Sequence, residues 1–165
     1  MKQIFLSIQS ELSKVSNLKH IDKNWNQLNY EQPPVKWPCA LLDIANVEYS
    51  QIAHLHQIAE ADVEVTVADM RFTNTSLRNP NREDGFDIFT LLDEIHQTLQ
   101  GFAPANAQPL VRTNLQKVET GYNYEVYRMT YHTAWKVEKI TDSTKVQLEP
   151  VIIDDHINRR FTNVI

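Results

Sequence analysis

Glycine is scarce, with three residues in a chain of 165. Motifs such as G-x-G-x-x-G and G-x-x-x-x-G-K-[ST] need clustered glycines to bring backbone amides against a phosphate, so dinucleotide-binding and P-loop chemistry are set aside. Cysteine is scarcer still. Cys39 stands alone, which excludes an intrachain disulfide or a CxxC metal or redox site and fits a reducing compartment. Long apolar runs are missing as well. Ile4-Phe5-Leu6 is interrupted by polar residues from Ser7 onward, short of a signal-peptide core, and no window approaches the roughly 18 apolar residues of a membrane helix. The expectation is a soluble protein that stays inside the cell that makes it. Positive charge is also in deficit: 16 Lys plus Arg against 21 Asp plus Glu leave a net charge of -5. The molecule as a whole therefore does not attract nucleic acid or an anionic membrane.

What is present is ordinary for a globular fold, with 42% apolar and 22% charged residues. One domain is expected over residues 1–165, with a body to residue 140 and an apolar tail over 141–165. Phe5, Ile8, Leu12 and Val15, with Ile4 alongside, trace one helical stripe over residues 3–18. Lys19 to Trp37, with Pro33-Pro34, reads as a surface connection anchored by Trp25, Tyr30 and Trp37. PCALLDIANVEY predicts a half-buried strand, and SQIAHLHQIAEA either continues it or turns a hairpin. From Ala61, Val63, Val65 and Val67 alternate with Asp62, Glu64 and Thr66. The apolar set then shifts to Ala68, Met70 and Phe72, as a bulge would allow.

TNTSLRNPNREDG, residues 73–85, is a polar loop long enough to make contacts. A second helix starts near Asp84 or Asp87 and carries Ile88, Leu91, Leu92, Ile95, Leu99 and Phe102 on one stripe, with Gly101 at its end. Residues 110–119 and 122–137 flank Thr120-Gly121 and predict a hairpin. In its second arm Tyr127, Met129, Tyr131, Thr133, Trp135 and Val137 alternate with Arg128, Thr130, His132, Ala134 and Lys136. A straight arm of that length reaches roughly 50 Å at 3.3 Å per residue, against a radius of gyration of about 15 Å for a globule of this size. The hairpin must bend or project, and a projecting hairpin leaves an edge for another chain. The expected fold is α+β: two helices packed on a mostly antiparallel sheet with a long projecting C-terminal hairpin.

No motif points firmly to catalysis. His54 and His56 would share a strand face and could hold a metal with a third ligand, and Asp154-Asp155-His156 could do acid/base work, yet neither has a defined geometry. A hydrolase or metal enzyme built on His54, His56 and Asp155 is one alternative. Glu60, Asp62 and Glu64 form a carboxylate row that supplies no asymmetry for a catalytic pair. Cys39 lies in an apolar run where a packed thiol is the commoner outcome, and no serine sits in a G-x-S-x-G elbow. Arg71, Arg78 and Arg82, in and beside the polar loop, with Arg159 and Arg160 in the tail, could meet phosphate or an acidic partner, though Glu83 and Asp84 offset the first group. A second alternative is a small-ligand or nucleic-acid binding module that stacks its ligand on Tyr127, Tyr131 and Trp135. Met129 and Val137 on the same face favour a core instead. No catalytic residue, metal ligand or cofactor is assigned.

In the order helix, strand pair, polar loop, helix, long hairpin and apolar tail, the chain resembles the tail-terminator (tail-completion, or neck) proteins of long-tailed bacteriophages. The likeness lies in KQIFLSIQSELSKV, PCALLDI, ADVEVTVADMRF, FDIFTLLDEIHQTLQGF and YEVYRMTYHTAWKV, covering most of Lys2 to Val137. It implies a non-enzymatic homo-oligomer, usually a hexameric ring, that caps the tail tube and joins it to the head connector. The partners implied are the tail-tube protein and a head-completion protein; the location implied is the virion tail or neck after assembly in the host cytoplasm, with no membrane. DNA would pass through the ring without specific binding, and six copies at -5 each, -30 in total, suit such a channel. The contact elements would be the loop from Thr73 to Gly85 and the hairpin around Gly121, with Arg71, Arg78, Arg82, Thr120, Gly121 and Tyr122 as contact residues.

Overall fold

A computed structural model describes residues 1–53, 56–70 and 73–138. The chain runs α1 (Lys2–Leu12), β1 (His20–Lys23), β2 (Cys39–Ala53), β3 (His56–Asp69), α2 (Asp87–Leu99), β4 (Val111–Val118) and β5 (Glu125–Glu138). The five strands form one sheet in the order β1-β2-β3-β5-β4. Every pairing is antiparallel except β1 with β2. The α+β class with two helices on a mostly antiparallel sheet is as the sequence predicts.

Both helices lie on one face. Ile4, Ile8 and Leu12 of α1 and Ile88, Leu91, Leu92, Ile95 and Leu99 of α2 pack on Val63, Val65, Val67, Met129 and Tyr131. Burial of these side chains is the main favourable term in the fold. The α1 stripe runs through Ile4 rather than Phe5, which is only half-buried, and the helix ends at Leu12 instead of continuing to residue 18. Val15 still reaches the core from the following turn. Asn17 ties the two helices together, its Nδ2 donating to both carboxylate oxygens of Glu94 at 3.1 and 3.0 Å.

The connection over residues 19–37 hides a strand. His20–Lys23 pairs in parallel with Cys39–Leu42. Trp37 packs beneath the sheet as an anchor, whereas Trp25 and Tyr30 are about half exposed. SQIAHLHQIAEA does both things left open for it: β2 runs on to Ala53 and the chain turns back into β3 at His56. The register of β3 is unbroken from His56 to Asp69 against β5, so no bulge explains the apolar shift at Ala68. The reason is burial on both faces. Ala68 joins a second cluster with Cys39, Leu41, Tyr124 and Val126, roofed by Leu28, Val35 and Trp37. Strand irregularities fall instead in β2, between Ala45 and Glu48 and between Gln51 and Ala53.

β5 reaches far, but it does not reach alone. It pairs with β3 along all 14 of its residues and with β4 from Val126 to His132. The three long strands β2, β3 and β5 thus lie side by side.

Candidate subunit interface

Sheet order decides which backbone is left open. On one side β1 covers only Cys39–Leu42 of β2. Above it, among the described residues, no strand pairs with the outer edge of Asp43–Ser50. On the other side β4 is the last strand, and no described strand pairs with its outer edge. Each open edge carries exposed apolar side chains: Tyr49 on β2, Val111 and Leu115 on β4.

Two apolar surfaces flank these edges on the helical face. Beside β2, Met1, Phe5, Leu6 and Ile44 line an open hollow of about 390 Å³, rimmed by Lys2, Lys23 and Asp43. Leu6 is 46% exposed because it lies off the Ile4-Ile8-Leu12 stripe. Over β5, the strand next to β4, Phe86 stacks on Phe89 with ring centroids 6.3 Å apart, and Phe89 meets the Tyr127 ring edge-on at 5.7 Å. The Lys117 ammonium sits 5.8 Å from the same Tyr127 ring. Phe86 and Phe89 are 45% and 47% exposed. Leu6, Phe86 and Phe89 were not selected from the sequence. The available signal was a large apolar residue out of phase with its own helix's buried stripe.

Of the residues singled out as contacts, Thr120, Gly121 and Tyr122 lie in the turn between β4 and β5. Asp69 and Glu125 are paired, so the loop leaving β3 and the turn entering β5 are neighbours. Thr120 and Tyr122 belong to a turn tied back to the body: the Tyr122 hydroxyl donates to the Asn29 carbonyl at 3.1 Å, the Tyr122 ring stacks on Tyr124, and the Tyr124 hydroxyl donates to the Leu28 carbonyl. Thr120 Oγ1 donates to the carbonyls of Tyr122 and Tyr124 at 3.2 and 3.3 Å. Gly121 is exposed at the tip. Arg78 is exposed in the loop and Arg82 is half-buried in the 3-10 turn over Arg82–Phe86. Arg71 lies outside the described residues, as do His54, Asp154, Asp155, His156, Arg159 and Arg160.

Beyond the second apolar cluster, the other sheet face is polar. Glu64 and Asp62 on β3 face Arg128 and His132 on β5, each pair at 3.5 Å. Such pairs at the surface add little stability, and the carboxylate row is a partly wetted face. Thr66 Oγ1 is buried there without a hydrogen-bond partner, beside a hollow of about 250 Å³ shared with Thr120, Tyr122 and Arg128. Tyr127, Tyr131 and Trp135 are buried in the main core, which removes them as a stacking platform. Burial raises the Cys39 thiol to about 12, the opposite of an activated nucleophile. Among the described residues no three His, Cys, Asp or Glu side chains gather to hold a metal, and no helix is long and apolar enough to cross a membrane.

The chain matches no family model, and no curated protein matches it. Among solved structures, it is similar to a chain of the "Virion of native gene transfer agent (GTA) particle", with a TM-score of 0.49 at 8% sequence identity. The superposition covers 84% of this chain and 96% of that chain.

Proposed function

We propose that this protein is a non-enzymatic assembly component of a phage or prophage tail. In this reading it acts as a tail terminator, forming a ring that caps the tail tube and receives the head connector. One observation carries the reading: among the described residues a single sheet has an open edge on each side, and the two edges are different strands. Two copies meeting through unlike edges join head to tail, which leaves an open edge at each end of the pair. Repetition of that contact closes a ring when the rotation permits. The polar turn over Thr120 to Tyr122 and the loop bearing Arg78 and Arg82 are the elements such a ring would offer to the neighbouring tail or connector ring. Arg71 falls in the same contact set. Net negative charge suits a bore that lets DNA slide through.

Light scattering combined with sedimentation tests this. The expected result is a discrete multiple of the 19.2 kDa chain, formed alone or on adding the tail-tube protein of the same phage or prophage. A monomer at all concentrations that also ignores the tube protein overturns the reading.

A further inference from the structure

The open edges explain that copies can join, but not which part of one copy seats on the next. The β2 edge is interrupted by the irregularity between Ala45 and Glu48, and Asn46 there has a left-handed backbone with φ 49°. Bulged edges resist indiscriminate strand pairing. Selectivity must therefore come from side chains, and the geometry points to one contact, which rests on the ring reading. We infer that the Phe86–Phe89 surface of one copy docks into the Met1, Phe5, Leu6 and Ile44 hollow of the next copy, as β4 of the first lies along β2 of the second.

Strand direction allows it. β2 and β5 run one way while β3 and β4 run the other, so a neighbour's β4 laid against β2 continues the antiparallel sheet with its helices on the same face. Register then sets the height. Val118, Val126, Ala68 and Cys39 lie in one row across the sheet. Because β1 occupies the edge from Cys39 to Leu42, the incoming β4 must slide from the level of Cys39 to that of Asp43, a shift of four residues. An even shift keeps every side chain on its proper face, whereas an odd one would invert them.

That slide moves the next row, Lys117 and Tyr127, from the level of Ala40 to the level of Ile44. Tyr127 is the residue on which Phe89 rests. The exposed phenylalanines are thereby carried to the height of the hollow that Ile44 lines. A constant slide of about 13 Å per copy, four residues at 3.3 Å each, tilts the strands, as closure of a sheet into a barrel or ring requires. Apolar patches flanking both edges on the same face have a common explanation in this contact. Each is left exposed in a single chain and each is covered by its counterpart.

Complementation of two variants tests it. Leu6→Asp blocks the hollow and Phe89→Asp blocks the knob; both positions are exposed, and far-ultraviolet circular dichroism checks that each variant is folded. Each alone is expected to sediment as a monomer. Mixed, they are expected to form one-to-one heterodimers and nothing larger, because only one intact knob and one intact hollow remain per pair. Leu6→Ser and Phe89→Ser carry the same expectation if an aspartate variant proves unfolded. Normal assembly by either single variant overturns this contact while leaving the ring reading intact. Two monomeric variants that do not complement each other overturn the head-to-tail pairing. A wild-type chain that never associates removes the ring reading and this contact together.

Discussion

The Tyr131 hydroxyl lies 3.5 Å from Nδ1 of His96, joining the middle of β5 to the helix that covers it. Burial, aided by the charge of Arg112 and opposed by Asp93, lowers the His96 pKa below 6.5. The folded state thus favours the neutral ring, whose Nδ1 can accept from the tyrosine. A lowered histidine pKa contributes stability that is complete above 6.5 and is lost as pH falls below it, since the unfolded chain then binds the proton more readily. Urea unfolding followed by tryptophan fluorescence is expected to show stability declining from pH 7 to 5, with a shallower decline in His96→Gln.

Cys39 gives a second pH signature. Its thiol is raised from 9.0 to about 12, by burial first and by the charge of Asp69 last, against a lowering hydrogen bond at Ala68. At pH 8 the thiolate population is about a thousandfold smaller than in the unfolded chain, since three units separate the two pKa values. A thiol reagent is expected to modify the native protein slower by about that factor than the protein in denaturant. This group's stability contribution is full below pH 9 and falls as pH rises toward 12.

Two glycines separate space from conformation. A Cβ at Gly85 would stand 2.5 Å from Thr75 Cγ2 and 3.1 Å from the Thr73 carbonyl oxygen, whereas one at Gly121 meets nothing within 4 Å. Gly85→Ala is expected to cost roughly 1–3 kcal/mol through overpacking. Gly121→Ala is expected to leave stability unchanged or raised by under about 1 kcal/mol. Thermal or urea unfolding of both variants checks the contrast.

Position on α2 sets a further contrast. Ile95 is fully buried and Phe89 is half exposed. Ile95→Ala is expected to lose about 2–5 kcal/mol of stability through the cavity it leaves, while Phe89→Ala is expected to change unfolding by under about 1 kcal/mol. The ranking reverses in sedimentation, where Phe89→Ala weakens association.

Sequence periodicity revealed α2 almost residue for residue, because Ile88, Leu91, Leu92, Ile95 and Leu99 all meet the same sheet. It revealed β5 for the same reason. β1 escaped because its four residues, three of them half-buried, show no alternation, and parallel pairing to β2 is a tertiary fact. The change at Ala68 looked like a bulge because alternation assumes one wet face, whereas Leu28, Val35 and Trp37 dry the second face locally. The loop after β3 was legible from its polarity and length. Leu6 and Phe89 were not singled out, since periodicity was used to find the buried stripes and both residues fall off them. The open edges depend on strand order, which no local pattern encodes.

Native mass spectrometry of the intact protein, with the tail-tube protein present and absent, addresses the head-to-tail claim most directly. One closed species of more than two copies is expected. A two-copy complex as the largest species contradicts it, because unlike edges cannot both be filled in a pair; so does a chain that stays monomeric in both conditions.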